Sequence, residues 1–542
     1  MVERYLPLFK KIKKNKSNQS RKLLKDYRNI SKIISLHNQI YINKVRKKYS
    51  ILDNINGYPL DDYQSRVVIS EETSTLVIAG AGSGKSLTII GKIIYLVKIK
   101  KINPQDILCI SFTNDATNNL KNKIYENYHL NIDIYTFHKL ALEILKQNNI
   151  SYLIAPENYL EQIIDLFFNE IIPNNQVYQK ALTYILGRRY STYDIFSLKQ
   201  VIKTFINLFK SNNYSISYFL IILRKIHFTF NIKEYYKNKY ILLLIINIYL
   251  LYENELQKEN ALDFNDMINK CITLLKKNPL KKHWHYIIID EYQDTSLTKF
   301  NFINEIIKQT SAKFLAVGDD FQSIYRFTGC DLSIFLNFSK YFKDAKIFHI
   351  INTYRNPQEL INVAGNFIMK NKKQQRKKLV SSKHLTKPII IYYDDNKIRA
   401  LKYLLEQISS KEIMVLGRNN KDINNYLDQD FIKENDFYFY NNIKFRYLTV
   451  HKSKGLESDN VILINLIDSI IGFPSQKQDE KIIRYVNNYH DNFPYEEERR
   501  LFYVALTRTK NKTYIICPYQ GESIFIKEIK KYSLYVETIK KK

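Results

Sequence analysis

Apolar positions along the chain change period several times, and each change marks an element. Continuous apolar runs at 107–112 (ILCISF), 286–289 (YIII) and 314–317 (FLAV), with a shorter one at 76–78, lie between polar stretches and read as strands buried on both faces. Between them the period lengthens. A helix is expected from Leu87, and another from Thr113 and Asn114 with Ala116, Leu120 and Ile124 on one face. Strand and helix therefore alternate, which predicts an α/β fold with parallel sheets. From about 146 to 260 the alternation stops, and a helical, tyrosine-rich stretch reads as an inserted subdomain. Its most apolar window, 240–252, carries Asn247 and is too short for a membrane span, so it predicts a buried helix. The motif ALDFNDMI, with Asp263, Phe264 and Asp266, returns the chain to the first α/β unit. A second α/β unit is expected from near 346, with strands at 389–393 and 413–416, a helix at 397–407 between them, and a basic linker at 371–383. Ahead of all this, residues 1–55 hold a basic run at 10–16 and the apolar sets Leu23, Leu24, Tyr27 and Ile33, Ile34, Leu36, Ile40, which predict short amphipathic helices.

Composition adds a partner class and a compartment. A chain of 542 residues that is 45% hydrophobic holds several cores rather than one. Lysine and arginine exceed aspartate and glutamate by 30, which points to a polyanion such as nucleic acid. An AT-rich coding sequence, visible in the abundant Asn, Ile, Lys and Tyr, would produce part of that surplus on its own. Cys109, Cys271, Cys330 and Cys517 are far apart, so neither a zinc site nor a disulfide framework is expected, and the reducing cytoplasm is the expected location. No signal peptide is expected at the N-terminus, and no membrane partner.

The chemistry begins at Ala79, Gly80, Ala81, Gly82, Ser83, Gly84, Lys85 and Ser86, between the run at 76–78 and the helix from Leu87. The whole chain has only 13 glycines, so three within five positions need a backbone reason. Such a loop turns its N–H groups on an anion, with Lys85 reaching the β- and γ-phosphates of ATP and Ser86 ligating Mg²⁺. The general pattern wants glycine where Ala79 stands. In HYIIIDEYQDTS, a strand ends in paired carboxylates: Asp290 completes the metal site and Glu291 orients and deprotonates the attacking water. Gln322, in GDDFQSIYRFTG, can sense a γ-phosphate, and Tyr325 and Phe327 alternate with Arg326 as a stacking platform for bases would. Gln64 can read an adenine edge, Tyr354 can stack on a purine, and Arg355 and Arg508 can bring charge to the γ-phosphate from a second domain, making hydrolysis depend on closure. Phe112 and Thr113 combine a ring and a hydroxyl at a strand end, YTFHKL repeats that mixture, and His451, Ser453 and Lys454 follow a strand in TVHKSKGLE.

Taken in order, these stretches resemble the UvrD/Rep-like branch of superfamily 1 DNA helicases over roughly 55–530. That family writes alanine first in its phosphate loop, which accounts for Ala79. The resemblance makes Gln64 and Tyr354 adenine contacts, Glu457 a ribose contact, and Lys85, Ser86, Asp290 and Glu291 the Mg-ATP machinery. It makes Gln322, Arg355 and Arg508 γ-phosphate sensors, and Phe112, Thr113, His138, Phe327 and His451 contacts to single-stranded DNA. It implies two RecA-like parallel-sheet P-loop domains with a helical insertion in the first: a basic helical segment at 1–55, one domain at 56–145 and 262–345, the insertion at 146–261, and a second domain at 346–542. Too few residues separate NTYRNP from TVHKSKGLE for the family's large second insertion. Phe327 stands where relatives often carry tryptophan, which weakens stacking. The expected activity is ATP- and Mg²⁺-dependent 3′–5′ translocation on single-stranded DNA and unwinding of tailed duplexes, in repair, replication or recombination, with repair or polymerase-associated protein partners. The rival keeps the ATPase without unwinding, as a translocase or a nucleoprotein or RNA polymerase remodelling factor. A third reading, a non-catalytic binding module, is opposed by the intact set of Lys85, Ser86, Asp290, Glu291, Arg355 and Arg508.

Overall fold

The computed structural model describes residues 18–227, 231–408, 412–477, 480–487 and 493–541. The first sheet has six strands, all parallel, in the order β3-β2-β6-β7-β1-β8: β1 (Ser74–Ala79), β2 (Ile107–Ser111), β3 (Asp133–Thr136), β6 (Tyr286–Ile289), β7 (Lys313–Gly318) and β8 (Lys346–Ile350). The short pair β4 (Leu153–Ile154) and β5 (Ala261–Leu262) stands apart, at the neck of the inserted helices. The central runs YIII and FLAV are buried on both faces because helices cover both sides, as the continuous apolar pattern requires.

Helices fall where caps and period place them. They are α1 (Asn18–Lys48), α2 (Asp62–Ile69), α3 (Lys85–Ile94), α4 (Asn114–Tyr128) and α5 (Phe137–Gln147). Thr113 caps α4 through its hydroxyl, and the buried face of that helix is Thr117, Leu120 and Ile124; Ala116, expected on it, is exposed. Helices α6 (Tyr159–Leu166), α7 (Gln176–Leu186), α8 (Thr192–Ser211), α9 (Tyr218–His227) and α10 (Ile232–Lys258) share one apolar core of their own. The expected buried helix is α10, with Ile241, Leu244, Ile245 and Ile248 inside. At the neck, Lys210 is 3% exposed and pairs with Glu253, with Asp263 at 2.9 Å and with Asp266 at 2.8 Å. The motif ALDFNDMI thus anchors the insertion to α11 (Phe264–Lys277), where Asp263 is the N-cap.

The second sheet has eight strands, in the order β11-β12-β13-β10-β14-β15-β9-β16. They are β9 (Ile389–Tyr393), β10 (Ile413–Gly417), β11 (Phe431–Glu434), β12 (Phe437–Tyr440), β13 (Ile443–Thr449), β14 (Asn460–Leu463), β15 (Thr513–Cys517) and β16 (Val536–Lys540). Pairing is parallel except at one edge, where β11, β12 and β13 form an antiparallel meander. Helices α12 (Leu297–Thr310), α13 (Gln358–Ile368), α14 (Lys397–Gln407) and α15 (Glu496–Leu506) complete the longer elements.

Three expectations need correction. The strand at 346–350 pairs with β1, so the first sheet runs past the expected 345/346 boundary. Residues 18–48 form one helix, not several, and Ile33, Ile34, Leu36 and Ile40 are exposed on it; among its described side chains only Ile42 and Val45 are buried, because α1 touches the body near its C-terminal end, and the side chains of Leu23, Leu24 and Tyr27 lie outside those described. The basic run at 10–16 lies outside the described residues. Finally, Ile482, Ile483 and Val486 leave the second unit to join the core of the insertion, and Asn212 Nδ2 donates to Val486 O at 2.9 Å. No helix among the described residues is long and apolar enough to cross a membrane.

Candidate nucleotide and nucleic-acid clefts

The loop after β1 lies at the carboxyl edge of the sheet, where open α/β sheets place ligands. Gly82 and Gly84 have φ of +70° and +75°, which L side chains rarely adopt, and both are also pressed by neighbours. A Cβ on Gly82 would lie 2.4 Å from Arg355 Cβ, and one on Gly84 2.5 Å from Gln64 Nε2. Ser83 Oγ donates to Gly80 O at 2.8 Å, closing the loop, and α3 begins at Lys85 with Ser86 exposed in its first turn.

Facing the loop, Lys85 Nζ lies 3.3 Å from Glu291 Oε1. Glu291 itself sits at φ +51°, turned off the end of β6. Burial and the neighbouring charge of Glu291 push Asp290 up to about 7. Burial works against the charge on Glu291, but Lys85 and Lys454 outweigh it and hold that carboxyl well below its ordinary range. Two adjacent half-buried carboxylates, together with the exposed hydroxyl of Ser86 in the first turn of α3, form a donor set suited to a hard divalent cation, which would relieve the carboxylates' repulsion. Gln293, missed by the sequence reading, links strand ends: its Nε2 donates to Glu291 Oε2 at 2.5 Å and its Oε1 accepts from Asp319 N at 2.9 Å.

The second half of the chain reaches into this site. Thr353 Oγ1 donates to Ala81 O at 2.7 Å and Tyr354 N to Gly82 O at 2.9 Å, so NTYRNP lies against the loop. Arg355 Nε is held by Glu457 Oε2 at 2.8 Å. Arg508 is buried two residues beyond α15 and donates to Gln322 Oε1 at 3.1 Å, while burial and Arg355 together push its guanidinium downward. Lys454 pairs with Asp294 and donates to Gln322 O at 2.7 Å. Gln64 and Tyr354 meet around Asp61: Gln64 Oε1 accepts from Asp61 N in a capping box, and Tyr354 Oη donates to Asp61 Oδ2 at 2.8 Å.

A second cleft, of about 1470 Å³, lies between the insertion and the second sheet. Phe327 and His451 meet in it with ring centroids 5.6 Å apart, Phe327 being 54% exposed. Arg326, Arg418, Lys421 and Lys452 line it too; of these only Arg326 was singled out by sequence. Glutamates of α15 aim two of them: Glu497 Oε2 holds Arg326 Nε at 3.0 Å, and Glu498 Oε1 holds Arg418 Nε at 2.9 Å. Burial pushes His451 down to about 4, with Arg418 and Lys454 adding to the effect, so the ring is neutral near pH 7. Phe112, Thr113 and His138 are not among the residues lining this cleft. They form a separate group, with Phe112 under Lys299 Nζ at 4.7 Å and His138 edge-on to Phe264 at 5.2 Å. Burial also lowers His138 to about 4.

A glycine-rich loop between β1 and α3, with paired carboxylates on a neighbouring strand end, defines a phosphate-binding-loop protein whose nucleotide cleft is completed by a second α/β unit. The model of the UvrD/REP helicase N-terminal domain matches residues 60–343, and that of the UvrD-like helicase C-terminal domain matches 441–520. The chain belongs to the UvrD/REP helicase family of superfamily 1, and it is a P-loop enzyme of that family. Among similar proteins, DNA helicase IV of Escherichia coli is 27% identical over 91% of this chain and 73% of its own length. A probable DNA helicase of Mycoplasma pneumoniae is 26% identical over 88% of both chains. The ATP-dependent DNA helicase PcrA of Staphylococcus aureus is 25% identical over 69% of this chain and 49% of its own length.

Proposed function

We propose that this protein is an ATP-dependent DNA helicase that steps 3′ to 5′ along a single strand and unwinds tailed duplexes, using two RecA-like domains in the cytoplasm. The observation that carries the reading is the contact of Arg508 with Gln322, 3.1 Å across the boundary between the two sheets, beside Arg355 on the phosphate loop. Two guanidinium groups from one unit converge on the loops of the other, so charge on a γ-phosphate is stabilised only when both units close on it.

In this reading the loop N–H groups and Lys85 bind the phosphates, and Gln64, Tyr354 and Glu457 hold the adenosine. Ser86 and Asp290 would hold Mg²⁺, which when bound supplies charge neutralisation to the phosphates. Glu291 takes the proton of the attacking water at its carboxylate once nucleotide draws Lys85 away. Gln322, Arg355 and Arg508 register the γ-phosphate. The strand lies in the large cleft, its bases against Phe327 and His451 and its phosphates beside Arg326, Arg418 and Lys452. Phe112, Thr113 and His138 extend the track over the first sheet. Closure on ATP shifts one grip relative to the other, and hydrolysis releases it. The first domain takes in 56–145 and 262–350, the insertion 146–261 and the second domain 351–542, with 1–55 a separate N-terminal segment.

Comparison of 3′-tailed with 5′-tailed duplexes tests activity and polarity together. Unwinding of the 3′-tailed substrate alone is the expected result. DNA-stimulated phosphate release with no unwinding of either would replace the helicase by a translocase or remodelling factor.

A further inference from the structure

The linker at 371–383 reads in sequence as a basic run, and Lys372, Lys373, Arg376 and Lys378 are exposed. Lys377 is the exception. Its side chain is 4% exposed, and its Nζ pairs with both Asp319 and Asp320, each with a fully buried side chain. The same ammonium lies 4.0 Å above the ring of Phe321. One lysine thus grips three consecutive residues of the turn that follows β7.

That turn carries Gln322. Gln322 Nε2 donates to Asp319 Oδ2 at 2.7 Å, while its Oε1 accepts from Arg508 Nη2 at 3.1 Å. An amide held by an acceptor at one end and a donor at the other has one orientation only. Asp319 can play the acceptor because Lys377 keeps it ionised: burial opposes the charge, and the ammonium outweighs burial and draws the carboxyl below its ordinary range. The chain Lys377, Asp319, Gln322, Arg508 begins on the linker and ends on the second unit.

The linker is also fixed at its other contacts. Leu379 packs on the phosphate loop so closely that a Cβ on Gly80 would lie 2.5 Å from its Cδ1. Val380 O accepts from Thr353 N at 2.9 Å, two residues before Arg355, and Gln375 N donates to Asp320 Oδ2 at 2.9 Å. One short segment therefore touches the phosphate loop, the Arg355 segment and the Gln322 turn.

We propose that Lys377 is a positioning residue for nucleotide discrimination: acting through Asp319, it sets the Gln322 amide in the orientation that distinguishes ATP from ADP. The inference rests on the reading of Gln322 as a γ-phosphate sensor. It assigns to the linker the task of making that sensor depend on the relative placement of the two units.

The test measures affinity for ADP and for a non-hydrolysable ATP analogue, together with kcat and KM for DNA-stimulated hydrolysis, in the full chain. Lys377→Met is expected to lower the preference for the ATP analogue over ADP at least tenfold with ADP affinity unchanged, and to lower kcat more than it raises KM. Lys377→Arg, which keeps the charge, should recover most of the preference. Because removing the ammonium strands two buried carboxylates, Asp320→Asn/Lys377→Met is measured alongside, and it should fold and show the same lost preference. A folded Lys377→Met protein with unchanged preference, or with kcat reduced only in proportion to its active fraction, overturns the proposal. Failure of both methionine variants to fold makes Lys377 a folding residue and overturns it equally. Gln322→Ala separates the premise: if that change leaves the preference intact, the sensor reading fails, whatever Lys377 does.

Discussion

The two clefts are built on opposite plans. Around the phosphate loop the charged groups are paired with one another, Lys85 with Glu291, Arg355 with Glu457, Lys454 with Asp294 and Lys377 with Asp319, and the last two pairs are buried. In the large cleft Phe327 is exposed, and the cations on its wall are held by glutamates of one helix, Arg326 by Glu497 and Arg418 by Glu498. A site that must place a γ-phosphate among fixed donors gains from preorganisation, and each misplaced charge there costs heavily. A groove that must let a strand pass gains from many weak, interchangeable contacts. The contrast teaches that single changes should act as switches in the first cleft and as gradations in the second.

The largest effect expected is at Lys85→Ala or Glu291→Gln, either of which should lower DNA-stimulated phosphate release by about 10³-fold or more. Substantial turnover by either purified variant would break the contrast at its root. Next, Arg508→Ala should lower the same rate by about 10³-fold while DNA affinity in the absence of nucleotide stays near the parent's, as filter binding would show. Gly82→Ala strains a positive φ and pushes on Arg355, so nucleotide affinity should fall by about tenfold, a cost of ~1–2 kcal/mol. In the open cleft, Phe327→Ala should weaken single-strand affinity by about 1–3 kcal/mol and reduce base pairs unwound per ATP, with DNA-independent hydrolysis unchanged. Unaltered unwinding by that variant would remove stacking from the account. Smallest is the histidine pair. His138 and His451 are held at about 4 in the folded chain against about 6.5 when unfolded, so the unfolded chain binds more protons between those values. Their contribution is therefore fully present above pH 6.5 and is lost as pH falls toward 4, and His451→Asn should make the fall of the thermal midpoint over that window shallower.

Legibility in sequence follows the range of the interactions. The strands at 389–393 and 413–417 and the helix at 397–407 are visible because period and caps are local signals. The candidate nucleotide residues can be proposed from sequence because each motif is a few residues long and its chemistry is written inside it, and the fold brings Lys85, Glu291, Gln322, Arg355 and Arg508 to one place. The edge meander β11–β12 escaped notice, although Asn435 at φ +53° between aromatic strands is a hairpin signal that could have found it. The six-strand order was out of reach, since β8 joins β1 across almost the whole first unit. Arg418 is missed for the same reason: its partner Glu498 is 80 positions away, and Arg326 meets Glu497 across 171. The run EEERR looks like a solvated helix start, yet Glu496, Arg499 and Arg500 are buried: Glu496 and Arg500 pair within the helix, but Arg499 pairs with Glu528 and Arg500 Nε donates to Ser323 O, contacts that only the fold supplies.

The segment at 480–487 deserves to be read as machinery in the kinematic sense. Ile482, Ile483 and Val486 sit inside the helical insertion, which is itself joined through its neck to the first sheet. The insertion is therefore tied at both ends, like a coupler bar, to the first unit through its neck and to the second through this segment. If the two sheets rotate relative to one another, the bar must either travel with one of them or shear a contact whose three aliphatic side chains are worth roughly 1.5–3 kcal/mol each.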